Sequence, residues 1–276
     1  MISCCLPASI RLGIYGYIHR SLPDLIPQDI AGSVSVKLLP LGLCLKKSRR
    51  NTTKNEATAL QLVEKHTKDV PAPKLIDHVT LPDGTGFILM TTVPGDRLDR
   101  VLFRMTYEER RALGRDLGSC ITQLRRIPNE NNCSKHLITN TYGGSAYDHR
   151  FEDHEAGPFD SPAALAMYLT GQSTAAKARE CYKAMAPMFD KTHAVYFTHS
   201  DLHHSNIYVC GGRLAGIVDW EYAGFKPEYW EYTKALWAYG AGREQKVIMD
   251  EAFREENYSE ELEAEMDLWT RRPVFC

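Results

Sequence analysis

The first clear hydrophobic pattern begins at Ser33. Residues 34–39 (VSVKLL) and 43–46 (LCLK) flank a turn at Pro40 and Gly42, which predicts a β-hairpin. Before it, Gly13, Gly16, Pro23 and Pro27 interrupt every long period, so no element is predicted over residues 1–30. In 55–66 (NEATALQLVEKH), Ala57, Leu60 and Val63 recur on one helical face. PAPKLID (71–77) reads as an extended connector, Pro82-Asp83-Gly84 as a turn and GFILM (86–90) as a strand. TTVPGDRL (91–98), punctuated by Pro94-Gly95, reads as a hinge.

A second pattern starts at Thr106, which forms a capping box with Glu109 ahead of a long helix. Its stripe of Leu113, Leu117, Ile121 and Leu124 ends before Pro128. Residues 129–160 are polar and rich in Gly, Asn and Asp, and predict loop with at most a short hairpin. Helices are predicted at about 162–170 and 174–190, then a strand at VYFTH (195–199). A tight hairpin follows from IYV (207–209) through Cys210-Gly211-Gly212 to RLAGIVD (213–219). The remainder reads as helical, with Pro227 in a first helical turn. A small strand-rich half carrying one helix thus precedes a larger helical half. This order predicts an α+β protein of two lobes, 1–93 and 94–276, with a cleft between them.

Composition narrows the class. With 33 Lys+Arg against 35 Asp+Glu in 276 residues the net charge is −2, and hydrophobic residues make up 43%. Those values fit a globular chain, exclude a disordered one and give no electrostatic reason to expect nucleic acid. No window approaches the ~18 apolar residues of a membrane span, and MISCCLPASIR lacks a signal peptide's basic start. The eight cysteines form no CxxC pair, so reduced thiols and a cytoplasmic location are expected.

The richest segment is FTHSDLHHSNIYVCGGRLAGIVDWE (197–221). In it, His199-x-Asp201 precedes Asn206 by five residues, and Asp219 ends a strand thirteen residues further on. Asp201, in a loop after a strand, can present a carboxylate to a hydroxyl. Asn206 and Asp219, brought together by the glycine hairpin, can offer oxygen ligands to a hard cation.

These residues resemble the aminoglycoside phosphotransferase and choline-kinase-like family of the protein-kinase-like fold, most of all its fungal members. The likeness extends to GLCLKK, NEATALQLV, PAPKLID, FILMTTVPGDRL, ITQLRRIP, GPFDSP and PEYWEYTKALWA. It implies a β-rich N-lobe over a larger helical C-lobe, with ATP and Mg²⁺ as cofactors. It implies Asp201 as the catalytic base, Asn206 and Asp219 as Mg²⁺ ligands, and Lys46 on the α/β-phosphates paired with Glu56. Adenine would lie against Met90, Thr91 and Val93. Strand alternation favours Lys46 over Lys47, because the small Cys44 shares its face whereas Leu45 shares that of Lys47. The resemblance also places an acceptor site around His149 and Arg150.

Electrostatics calls for the metal. Two unit charges ~6 Å apart at a dielectric near 20 repel by about 3 kcal/mol, and two aspartates facing a triphosphate would repeat that several times. A small-molecule hydroxyl is the expected acceptor, since Trp-Glu stands after Asp219 where protein kinases have Phe-Gly, and no A-P-E follows. By analogy it would be a specialised metabolite.

Plainer readings stand beside these. Lys47, Arg49 and Arg50 read as a solvated charge run. Glu221, Glu228 and Glu231 could meet an amine on the acceptor, or Glu228 and Glu231 could simply favour a helix N-terminus. The aromatic run from Trp220 to Trp230 reads mostly as core. His199, His203 and His204 do not match a zinc-ligand spacing, and His199 reads as a loop anchor. No G-x-G-x-x-G precedes the Lys46 strand, Gly32-Ser33 being the nearest candidate, and Ser200 stands where relatives often carry Gly. Two rival functions remain: a pseudokinase binding module, and a metal-dependent hydrolase using the histidines.

Overall fold

The computed structural model describes residues 6–25, 35–48, 52–81, 84–130, 136–237 and 242–271. Gly32-Ser33, Val34, Arg49, Arg50 and Pro82-Asp83 therefore lie outside the described residues. The chain opens with a helix, α1 (Ala8–Ser21), where the sequence predicted no element. Two interior glycines cost a helix about 1 kcal/mol each relative to alanine. Tertiary packing offsets this: Leu12, Tyr15 and Ile18 close over Leu45, Val79 and Phe87. The Tyr15 hydroxyl donates to Asp77 at 2.5 Å, and Arg11 pairs with the same carboxylate.

The expected hairpin forms from β1 (Ser35–Leu39) and β2 (Leu43–Ser48), antiparallel with Val36 opposite Lys46. Helix α2 (Thr52–His66) follows, then β3 (Leu75–Thr80) and β4 (Gly86–Thr91). The PAPKLID connector thus becomes strand in its last three residues. The sheet order is β1-β2-β4-β3. Its α1 side holds Leu45 and Phe87, while Cys44, Ile88 and Met90 join Ala59, Leu60 and Val63 of α2 in the main core. The alternation expected for β2 is thereby realised.

After β4 the chain forms a two-residue strand, β5 (Asp96–Arg97), which pairs with the later β10 hairpin strand (Ile207–Cys210). Helix α3 (Tyr107–Leu124) begins at the predicted capping box. Thr106 Oγ1 accepts from Glu109 N at 3.2 Å, and Glu109 Oε2 accepts from Thr106 N at 2.7 Å. Leu113, Leu117, Ile121 and Leu124 are buried as the stripe predicted. Among the described residues of the polar stretch 129–160 lie three two-residue strands, β6 (Thr139–Asn140), β7 (Ala146–Tyr147) and β8 (Glu155–Ala156).

Helices α4 (Pro162–Thr170) and α5 (Ala175–Cys181) come next. The second expected helix, 174–190, is broken after Cys181, and its last turn restarts at Pro187, which cannot continue the ladder of the preceding turn. Strand β9 (Val195–Thr198) leads to the hairpin of β10 and β11 (Arg213–Ile217). Residues 224–227 are the clearest departure: they form a strand, β12 (Gly224–Pro227), not helix. It lies between β6 and β9, so Gly-Phe-Lys-Pro is buried throughout and shows no alternation to read. Pro227 ends this strand and does not start a helix. Helices α6 (Trp230–Trp237), α7 (Arg243–Ala252) and α8 (Ser259–Arg271) finish the C-lobe.

Helix α7 crosses α3 at Gly114, where an added Cβ would stand 2.6 Å from the Ile248 carbonyl oxygen. No helix among the described residues is long and apolar enough to cross a membrane. Leu113, fully buried in this layer, sets a test of the core. Leu113→Ala is expected to cost about 2–5 kcal/mol in urea unfolding, against about 1 kcal/mol for Thr106→Ala at the cap. Equal losses would show that α3 is held by its cap and not by packing.

Candidate active site

Lys46, buried on β2, reaches across the lobe boundary. Its Nζ lies 2.7 Å from Glu56 on α2, 2.5 Å from Asp219 and 3.4 Å from Glu221. Burial opposes its charge, but the Asp219, Glu221 and Glu56 carboxylates outweigh it and hold Lys46 well above its ordinary value. Burial likewise opposes ionisation of Asp219, and the Lys46 ammonium pulls that carboxyl below its usual range. Among the described residues, Glu56, Asp219 and Glu221 form the one group of carboxylates close enough to share an ion, with ligand atoms within 4.8 Å of one another.

The loop after β9 carries the second half of the site. Asp201 Oδ2 accepts from Asn206 Nδ2 at 2.8 Å, and the Asp201 carbonyl accepts from the same amide at 3.0 Å. Burial pushes the Asp201 carboxyl up to about 6, with Asp219 and Asp148 adding to the shift and the Lys234 ammonium opposing it. Ile207 pairs with Ile217, and Val218 N donates to Asn206 O at 2.9 Å, which sets Asn206 beside the strand end that carries Asp219. Asn206 gives its N–H to Asp201, and its Oδ1, which accepts from Ser205 Oγ at 3.4 Å, keeps a second lone pair for a cation. Asp219 is the least covered of the carboxylates around Lys46, at 34% side-chain exposure. An all-oxygen donor pair of this kind fits Mg²⁺.

Two backbone positions here are left-handed in non-glycine residues: Ser200 (φ +68°) and Asp219 (φ +67°). Such residues carry strain of about 1–3 kcal/mol, and the surroundings must hold them. Glu231 supplies that hold, its carboxylate accepting from His199 N at 2.7 Å and Ser200 N at 3.0 Å. His199, fully buried, donates from Nε2 to Val218 O at 2.9 Å and accepts at Nδ1 from Asp201 N at 3.1 Å. It is a neutral anchor spanning both aspartate-bearing strand ends, and burial holds its pKa down.

The model of the phosphotransferase enzyme family matches residues 37–269, which include every residue of this site. The chain belongs to this family. Solved aminoglycoside phosphotransferases share its fold. The apo form of a thermostable mutant of APH(4)-Ia is 12% identical, with 90% of this chain and 83% of that one covered and a TM-score of 0.61. The streptomycin-ATP-APH(2")-IIa ternary complex is 15% identical, with 95% and 86% covered at 0.61. The GDP and kanamycin complex of APH(2")-IIia is 14% identical, with 92% and 84% covered at 0.61. A comparison with curated proteins gives no match.

In this phosphotransferase-family chain the remaining predicted residues divide. Met90 is buried opposite Cys44, and Val93 covers Gly216 so closely that a Cβ there would meet it at 2.6 Å. Thr91 Oγ1 accepts from Lys74 N at 2.9 Å, so its side chain is committed to the β3 side. His149 Nδ1 stands 4.0 Å from Asp201 Oδ1, and its ring stacks on Tyr222 at 4.2 Å. Glu221 is corrected from the acceptor side to the Lys46 group, where it also accepts from Thr52 Oγ1 at 3.0 Å. Arg150 is corrected to the core: fully buried, it pairs with Asp148 at 3.0 Å and with Glu265, and it lies over Trp230. Glu228 is corrected as well, since it faces His193 at 3.2 Å.

Sequence reasoning passed over Asp148, Lys234 and Asn55. Asp148, fully buried, accepts from Trp230 Nε1 at 3.0 Å and Lys234 Nζ at 3.3 Å, beneath His149. Burial opposes its charge, and Arg150, Lys234 and Lys226 together hold it ionised. Asn55 did leave a signal, a polar residue four before Ala59 on a buried helix face. Glu231 sets a test of the loop. Glu231→Ala leaves two buried N–H groups without acceptors, and chemical denaturation should show a loss of about 2–6 kcal/mol. A loss below about 1 kcal/mol would mean that water replaces the carboxylate.

Proposed function

We propose that this protein is an ATP- and Mg²⁺-dependent phosphotransferase that moves the γ-phosphoryl group to a hydroxyl of a small molecule. The observation that carries the reading is the convergence of Lys46–Asp219 and Asp201–Asn206 contacts across 173 and 5 residues of sequence. Asp201 holds the acceptor hydroxyl and takes its proton on a carboxylate oxygen. The acceptor oxygen bonds to the γ-phosphorus as the bond to the β–γ bridging oxygen breaks, and ADP leaves with the electron pair. Lys46 steadies the phosphates, and Glu56 holds Lys46. Asp219 and Asn206 would hold Mg²⁺, which would supply neutralising positive charge beside the triphosphate. Adenine rests along Met90–Val93.

A small acceptor fits the connectivity. Only four residues separate Asp219 from β12, so the chain returns to a sheet where a protein kinase would extend an activation segment. His149, whose Nδ1 lies 4.0 Å from Asp201 Oδ1, is our acceptor-side contact. Burial and the Lys234 ammonium keep its imidazole neutral, down to about 3, so it meets the acceptor as a neutral hydrogen-bonding group. The relatives in the streptomycin and kanamycin complexes lend support to a hydroxylated small molecule. A specialised metabolite is our reading of its class, by analogy.

MgATP at ~100 times its dissociation constant should stabilise the protein by about 2.7 kcal/mol, a rise of about 5 °C in Tm. The rise should need Mg²⁺ and vanish in Asp219→Ala; no rise with the folded wild-type protein would sink the proposal. Asp201 works ionised, so kcat/KM should climb as pH rises through about 6 and level off above it. Asp201→Asn should keep nucleotide binding but lower kcat about 10²–10⁴-fold. A variant that turns over at the wild-type rate would remove Asp201 from the chemistry.

A further inference from the structure

Helix α2 belongs to the N-terminal half in sequence, yet its first turns are bonded to the C-lobe. Asn55, fully buried and one residue before Glu56, makes the connection. Its Nδ2 donates to Glu221 O at 2.9 Å and Ala223 O at 2.8 Å. Its Oδ1 accepts from Thr141 N at 2.9 Å and Thr141 Oγ1 at 2.7 Å. Two donors and two acceptor positions are all that a carboxamide has, so the side chain is saturated. The 221–223 turn that it grips follows Asp219 directly, and Thr52 Oγ1 adds a bond to the Glu221 carboxylate at 3.0 Å.

We propose that Asn55 is a positioning residue that clamps α2 to the C-lobe and so keeps Glu56 in register with Lys46. It touches neither nucleotide nor acceptor and acts through Glu56. The Lys46–Glu56 pair then forms without an external activator, because the element that carries Glu56 is fixed to the same turn as Asp219. The link to catalysis rests on the phosphotransfer reading; the clamp itself does not.

The test uses the full chain. Asn55→Asp keeps the size and both acceptor bonds but turns a carboxylate toward two carbonyls. Thr141→Val removes only the hydroxyl bond and serves if the first variant fails to fold. Hydrogen exchange should quicken about tenfold or more over 52–66 in Asn55→Asp while 107–124 stays protected, and less in Thr141→Val. The MgATP dissociation constant should rise about tenfold in Asn55→Asp, and this added loss should disappear in a Glu56→Gln background. Unchanged exchange in α2, or losses that multiply independently of Glu56, would overturn the proposal. If the wild-type protein binds no MgATP, the phosphotransfer reading fails, and the exchange measurement still decides the clamp.

Discussion

One buried ammonium holds the two halves of this protein in register. Lys46 comes from the sheet, Glu56 from the helix beside it, and Asp219 and Glu221 from the far lobe. A single pair at ~4 Å and a dielectric near 20 is worth about 4 kcal/mol, so losing the cation would leave the buried Glu56 and Glu221 and the half-buried Asp219 facing one another. Burial pushes the Glu56 carboxyl up to about 7 and raises that of Glu221 as well, so both depend on a nearby cation to stay charged.

The second constraint is backbone geometry. Asp201 and Asp219 both stand at sharp turns of the chain, made by left-handed positions at Ser200 beside the first and at Asp219 itself. Neither is a glycine, so the conformation has to be held from outside. Glu231 takes the amides before Asp201, and His199 bridges from that loop to Val218 beside Asp219. The two carboxylates are thus placed by one connected set of buried hydrogen bonds, in which each member is satisfied by another. Asp148 does comparable work below His149, shared among Arg150, Lys226 and Lys234.

Sequence patterns revealed much of the scaffold and the chemical set, for reasons particular to each element. The β1–β2 hairpin, the α3 cap and stripe, and the glycine hairpin before Asp219 are written in neighbouring residues, and local sterics decide them. The H-x-D-x-x-x-x-N spacing and the IVDWE strand end name chemistry because a loop and a hairpin hold their residues at nearly fixed separation. Alternation along β2 chose Lys46 over Lys47, and the sheet places Cys44 and Lys46 on one side.

Other features exist only in three dimensions. Helix α1 forms over two glycines because the sheet offers an apolar face, and β12 is strand because β6 and β9 flank it. Arg150 has one partner, Glu265, 115 residues away, and Glu221 accepts from Thr52, 169 residues away, so their places were invisible along the chain. The sequence alone determined the elements that neighbouring residues set, the β1–β2 hairpin, α3 and the glycine hairpin among them, and which chemical groups the protein carries. Only the tertiary structure decided which of those groups meet, because desolvation and pairing depend on neighbours that no local spacing records.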